Sequence, residues 1–149
     1  MSWGRRNVSD DDIFVSFDDF GYGRENEIHA TLLYGIHSDS PDQVRSLIEG
    51  EGPIHIELGQ TKVFSNRFKY DVLVIEAQSP DLKRLYSKLV RVVPYTDKYG
   101  TYNPHVTIAY VKKGKGWKHH GVNKWDQLAF TTDYVVFSSK NGTKERIVL

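Results

Sequence analysis

Two short stretches hold the residues best suited to chemistry. Residues 28–34 read Ile-His-Ala-Thr-Leu-Leu-Tyr and residues 104–110 read Pro-His-Val-Thr-Ile-Ala-Tyr, so both contain His-x-Thr-x-x-Tyr. Histidine is the side chain whose ordinary pKa lies near neutral pH, and two imidazoles can divide the work of proton transfer. The neutral ring takes a proton from a nucleophile while the charged ring gives one to a leaving group. Hydrolysis or transesterification of a phosphodiester needs both, in line, on opposite sides of phosphorus. A threonine two residues on shares the strand face of its histidine, about 6–7 Å along. Its hydroxyl can donate to a phosphoryl oxygen as negative charge develops, without a metal. The candidate catalytic residues are therefore His29, Thr31, His105 and Thr107.

Both stretches are short, apolar and Thr-containing, which predicts strands. Alternation puts His29, Thr31 and Leu33 on one face and Ala30, Leu32 and Tyr34 on the other. In the second copy His105, Thr107 and Ala109 oppose Val106, Ile108 and Tyr110. Tyr34 and Tyr110 are accordingly read as packing behind the chemistry, and the two histidine faces are expected to meet across one cleft. A lone strand histidine is ordinarily a half-buried structural residue; it is the repetition that gives these two weight. His37, His55, His119 and His120 have no repeated partner and read as surface residues. Adjacent His119 and His120 lack a third ligand or an i, i+4 spacing, so no metal site is expected.

The elements that must position the motifs follow in order. Residues 1–12 read as a loose polar arm, and Ile13 to Phe17 as a strand that turns Phe14 away from the apolar row of Ile13, Val15 and Phe17. Ser40-Pro41-Asp42 starts a helix that Gly50 ends, and Ser79-Pro80-Asp81 starts a second, with Leu82, Leu85, Tyr86 and Leu89 as its buried stripe and Pro94 beyond its end. Strands are predicted at 54–58, 62–65 and 70–77, and again at 128–130, 134–138 and 146–149. The run 72–75 looks buried on both faces. Residues 112–124 form a basic loop around Trp117.

The repeat extends past the motifs. Val-Phe-Ser begins 34 residues after His29 and 31 after His105, and the next apolar runs begin 43 and 42 residues after those histidines. The pattern predicts two similar lobes, one around 28–34 and one around 104–110, within a single domain spanning 13–149. The fold class is α+β, with two pseudo-symmetric sheet lobes flanked by helices around a central cleft.

Composition narrows the partners. The 149 residues are 39% hydrophobic and 13% aromatic, enough for a real core. A net charge of +1 makes general coating of nucleic acid a poor reading. No cysteine is present, which excludes disulfides, thiol catalysis and Cys-based zinc sites. The N-terminus lacks the apolar core of a signal peptide and no run is long enough to span a membrane. A soluble cytoplasmic protein is expected, acting in the host cytoplasm if viral, with no protein partner implied.

The motifs His29-Ala30-Thr31 and Pro104-His105-Val106-Thr107 resemble the two signatures of the 2H phosphoesterase superfamily, and the resemblance covers roughly residues 13–149. The tyrosine in each copy and the stretch from Val72 through Tyr110 look most like the compact phage enzymes of that superfamily, the anti-CBASS nucleases that cleave cyclic oligonucleotide signals. The short approach to the first motif leaves no room for the long helix of the larger bacterial RNA enzymes. By resemblance, His29 and His105 are the catalytic pair, Thr31 and Thr107 bind phosphate, no cofactor is needed, and the substrate is a cyclic oligonucleotide or small RNA-derived ester. Bases need stacking partners; Phe14 is the first candidate, followed by Tyr99, Tyr102 and Trp117, and Lys112 with Lys113 can hold a second phosphate. The alternatives are an RNA 2′,3′-cyclic phosphodiesterase and a nucleotide- or RNA-binding module without turnover.

Overall fold

Helix α1 (Asp42–Ile48) and helix α2 (Pro80–Val90) form where the Ser-Pro-Asp signals predict them. In this computed structural model, residues 29–65, 70–96, 101–122 and 128–149 are described. The Ser79 hydroxyl accepts from the Leu82 amide (3.1 Å) and caps α2, with Pro80 in its first turn. Leu82, Leu85 and Leu89 are buried on one stripe of that helix. Burying a leucine of this kind is worth about 1.5–3 kcal/mol, so the stripe holds α2 in place.

Six strands are present among the described residues: β1 (Ile54–Ser65), β2 (Tyr70–Gln78), β3 (His105–Lys112), β4 (Ala129–Thr132), β5 (Tyr134–Ser138) and β6 (Lys144–Val148). The pairings β1–β4, β2–β3 and β5–β6 are antiparallel, and with the two helices they make the expected α+β fold. The two strands predicted at 54–58 and 62–65 are one continuous strand. Its burial changes phase midway: Ile54, Ile56 and Leu58 are buried, then Thr61 and Val63.

The chain divides into two units that interleave in sequence. Among the described residues the first holds 29–30, Leu58–Ala77 and His105–Leu128, and the second holds Thr31–Glu57, Gln78–Pro104 and Ala129–Leu149. The strand that begins at His105 pairs with β2, from the other half of the repeat. The repeat survives more locally. One Val-Phe-Ser lies in β1 beside β2, and the other ends β5 beside β6.

In the first unit β3, β2 and β1 lie side by side in that order. Leu73, Ile75, Val106, Ala109, Val111 and Val63 are buried at its core. The basic loop covers this core. A Cβ on Gly116 would touch Val111, Val63 and Asp71 at 3.2–3.3 Å. Buried Asp71 accepts from the Gly114 amide (2.7 Å), and the Thr61 hydroxyl donates to the His119 carbonyl. His119, expected at the surface, is buried with this loop.

In the second unit α1 packs on α2, and β4 pairs with the start of β1, aligning His55 with Thr131 and Ile56 with Phe130. The His55 amide donates to the Asp81 carboxylate (2.9 Å) and the His55 carbonyl accepts from Ser79 (2.6 Å), which ties β1 to the start of α2. Donation from that amide, reinforced by Arg84, holds the Asp81 carboxyl below its usual range. No helix among the described residues is long and apolar enough to cross a membrane.

Candidate active site

Residues 29–34, the described part of the first motif, are not assigned to a strand. Among the described residues they make one ladder contact, an isolated antiparallel bridge between Ala30 and Val106. Val106 also pairs with Ile75 of β2, so the first motif lies against the outer edge of β3. Directly opposed residues share a face and their neighbours take the other. The bridge therefore aligns His29 with Thr107 and puts His105 on the diagonal, at about 7–8 Å in regular antiparallel strands. His29 is exposed, and His105 and Thr107 are half-buried.

The β2–β3 register decides what shares their face. Leu73 pairs with Ala109 and Val74 with Thr107, so Ile108 is an extra residue, a β-bulge. Beyond the bulge the alternation reverses. His105, Thr107, Tyr110 and Lys112 pair with Glu76, Val74, Val72 and Tyr70, and these eight residues share one face. Tyr110, expected behind the chemistry, lies on the histidine side, its ring edge-on to Tyr70 at 5.5 Å. Tyr34 is 66% exposed and is not packing either.

Strand β1 completes this face. Phe64 meets the His105 ring edge-on, with centroids 5.5 Å apart and planes at 79°, a favoured geometry for aromatic pairs. Lys62 is ion-paired to Glu76, the cross-strand partner of His105, with Nζ 2.6 Å from Oε1. None of Phe64, Lys62, Glu76 and Tyr70 was read from the sequence as a site residue, although Phe64 lies in the repeated Val-Phe-Ser. An alternating strand would have flagged Lys62 and Phe64 together, but the apolar run at 72–75 hides the face on which Glu76 lies.

The other predicted substrate residues divide. Lys112 falls on the His105 face at the far end of β3. Lys113 lies instead 4.0 Å from buried Asp71. Trp117 follows Gly116, which packs on the opposite, core face, and its ring tilts against His120. The structure does not bring it to His105. Tyr102 is committed elsewhere: its ring stacks on Tyr86 at 4.2 Å and its hydroxyl donates to the Thr31 carbonyl at 3.0 Å. Burial, with Tyr86 beside it, pushes the phenol well above the usual tyrosine range. Tyr102 thus holds the exposed Thr31 by its backbone and is not an open stacking surface. Phe14 and Tyr99 lie outside the described residues.

The two His-x-Thr segments are thus joined by a backbone bridge, and His29 and His105 belong to one unit. A family model of the 2′-5′ RNA ligase superfamily matches residues 16–142, and the chain belongs to that superfamily, one of the 2H phosphoesterases. Its chemistry is the hydrolysis or ligation of phosphodiesters. No curated protein matches the chain.

Proposed function

We propose that this protein is a metal-independent phosphodiesterase that cleaves cyclic oligonucleotides, degrading cyclic nucleotide immune signals in the cytoplasm as a viral counter-defence. The observation that carries the phosphodiesterase reading is the Ala30–Val106 bridge, which sets the two His-x-Thr motifs side by side. Support for the cyclic-oligonucleotide substrate comes from the resemblance of both tyrosine-containing motifs to the compact phage enzymes, and from an exposed aromatic, Phe64, next to His105.

In the proposed reaction one imidazole, neutral, removes the proton of the substrate's own 2′-hydroxyl. The freed oxygen attacks phosphorus in line and forms the new P–O bond. The second imidazole, protonated, delivers its proton to the departing 5′-oxygen as that P–O bond breaks. The product is a linear chain ending in a 2′,3′-cyclic phosphate, and a water in place of the 2′-hydroxyl opens such an ester by the same route. Thr31 and Thr107 donate to the non-bridging oxygens, whose charge grows in the transition state. Which histidine is base and which is acid follows from the orientation of the bound nucleotide.

The test is incubation in EDTA with cyclic di- and trinucleotides and with RNA bearing a 2′,3′-cyclic end. Cleavage of the cyclic oligonucleotides, undiminished by EDTA, is expected. Cleavage of the RNA end alone would assign the protein to RNA-end processing. Tight binding without cleavage of any substrate would make it a binding module, and loss of activity in EDTA would overturn the metal-free scheme.

A further inference from the structure

The His105 face carries more than the reacting groups. Phe64 and Lys62 are two residues apart on β1, and Phe64 is 42% exposed with its ring in T-shaped contact with the His105 ring. Lys62 is ion-paired to Glu76, which is itself directly across β2–β3 from His105. An open aromatic ring and a donor–acceptor pair thus sit side by side, next to a histidine assigned to proton transfer. Gly59 contributes no side chain here; a Cβ on it would meet the Glu76 Cβ at 3.5 Å and Oε2 at 3.6 Å. The approach to the carboxylate on that side is kept clear.

We propose that Phe64, Glu76 and Lys62 form a guanine-selective base subsite beside His105. The inference rests on reading this face as the phosphodiester site and extends it to the identity of the base. Phe64 supplies the stacking platform, which any base can use. The ion pair supplies the selectivity. Guanine presents two parallel N–H donors, N1–H and N2–H, that match the two oxygens of a carboxylate, and an O6 acceptor that matches an ammonium. Each carboxylate oxygen has two lone pairs, so Oε1 can accept from Lys62 and from the base together. Adenine has one N–H donor on that edge, and cytosine and uracil likewise have one. Hypoxanthine keeps N1–H and O6 but lacks N2–H.

Binding of nucleoside 3′-monophosphates tests the subsite separately from catalysis, because these ligands hold no diester to cut. The full chain is titrated calorimetrically with guanosine, inosine and adenosine 3′-monophosphates. Guanosine is expected to bind tightest and adenosine weakest, with a difference of at least about tenfold for loss of a hydrogen bond to a charged acceptor. Glu76→Gln, equal in size, removes the guanosine preference. Phe64→Leu weakens all three ligands alike, by roughly tenfold, and Phe64→Trp restores them. Equal or undetectable binding of the three by the wild type overturns the subsite. So does a preference that persists in Glu76→Gln. Thermal unfolding checks each variant, and Lys62→Met repeats the selectivity test should Glu76→Gln lose its fold. Guanosine preference in a protein that cleaves no diester would leave the subsite standing and sink the enzymatic reading; cleavage without base preference would do the reverse.

Discussion

Ala30 and Val106 are partners in a single antiparallel bridge, and this contact sets the two His-x-Thr motifs against each other. Each of the two residues follows a histidine and precedes a threonine. The bridge thereby brings both imidazoles onto one unit of the fold, although the two histidines are 76 positions apart in the numbering.

Replacing either histidine should remove one of the two proton transfers. His29→Ala and His105→Ala are each expected to lower kcat by about 100- to 10,000-fold. His29 is exposed and should change thermal stability little, whereas His105→Ala also loses the Phe64 ring contact. The wild-type pH–rate profile should be bell-shaped, since one ring must be neutral and the other charged. A variant with near wild-type turnover would rule out the two-histidine scheme.

Thr107→Val tests the hydroxyl with nearly the same shape. Thr107 is half-buried opposite Val74, so valine fits the strand. Loss of one oxyanion donor typically costs about 100- to 1,000-fold in kcat. The expected effect falls on kcat more than on KM, because the donated bond strengthens as charge builds on the phosphoryl oxygen. An unchanged kcat would place the phosphate contacts elsewhere.

Tyr102→Phe removes a hydrogen bond and keeps the stack on Tyr86. The lost bond to the Thr31 carbonyl should cost about 0.5–1.5 kcal/mol of stability and lower kcat by loosening Thr31. Alkaline unfolding gives a second readout. Burial raises the folded-state pKa of the Tyr102 phenol above the usual tyrosine value of about 10. The unfolded chain then loses this proton first as pH rises. The contribution is complete below about pH 10 and is lost as pH climbs through the folded pKa. Urea midpoints measured from pH 8 upward should fall more steeply for the wild type than for Tyr102→Phe.

Gly35→Ala should damage the second unit where the first motif enters it. Gly35 has φ +81°, and a Cβ there would lie 2.1 Å from the Thr96 carbonyl oxygen. The same carbonyl region is tied down by the Thr96 amide donating to Gly35 and the His37 amide donating to Pro94. The left-handed backbone alone costs an L residue about 1–2 kcal/mol, and the clash adds to it. A melting temperature within a degree of wild type would show that this turn can move aside.

Much of the architecture was legible in the chain because its signals are local. Ser79, Pro80 and Asp81 mark a helix start in any context, since a hydroxyl cap, a fixed φ and an acid near the N-terminus act within one turn. The spacing of Leu82, Leu85 and Leu89 marks its buried stripe for the same reason. His29, Thr31, His105 and Thr107 were recognisable from residue type and repetition, which need no knowledge of where the strands go.

What tertiary structure alone decided is which residues surround those four. Strand parity assumes unbroken alternation, and the bulge at Ile108 reverses it, carrying Tyr110 and Lys112 onto the His105 face. A bulge arises from pairing with β2 and has no signature in the residues 104–110 themselves. Phe64, Glu76 and Lys62 join His105 through cross-strand contacts among β1, β2 and β3, made between positions up to 41 apart. The basic loop was readable as basic, but the packing of Gly116 on Val63 and Asp71 and the approach of Lys113 to Asp71 are long-range contacts that its residues do not announce. The repeated motifs thus named the candidate groups, while long-range pairing, which depends on the whole chain closing on itself, selected their neighbours.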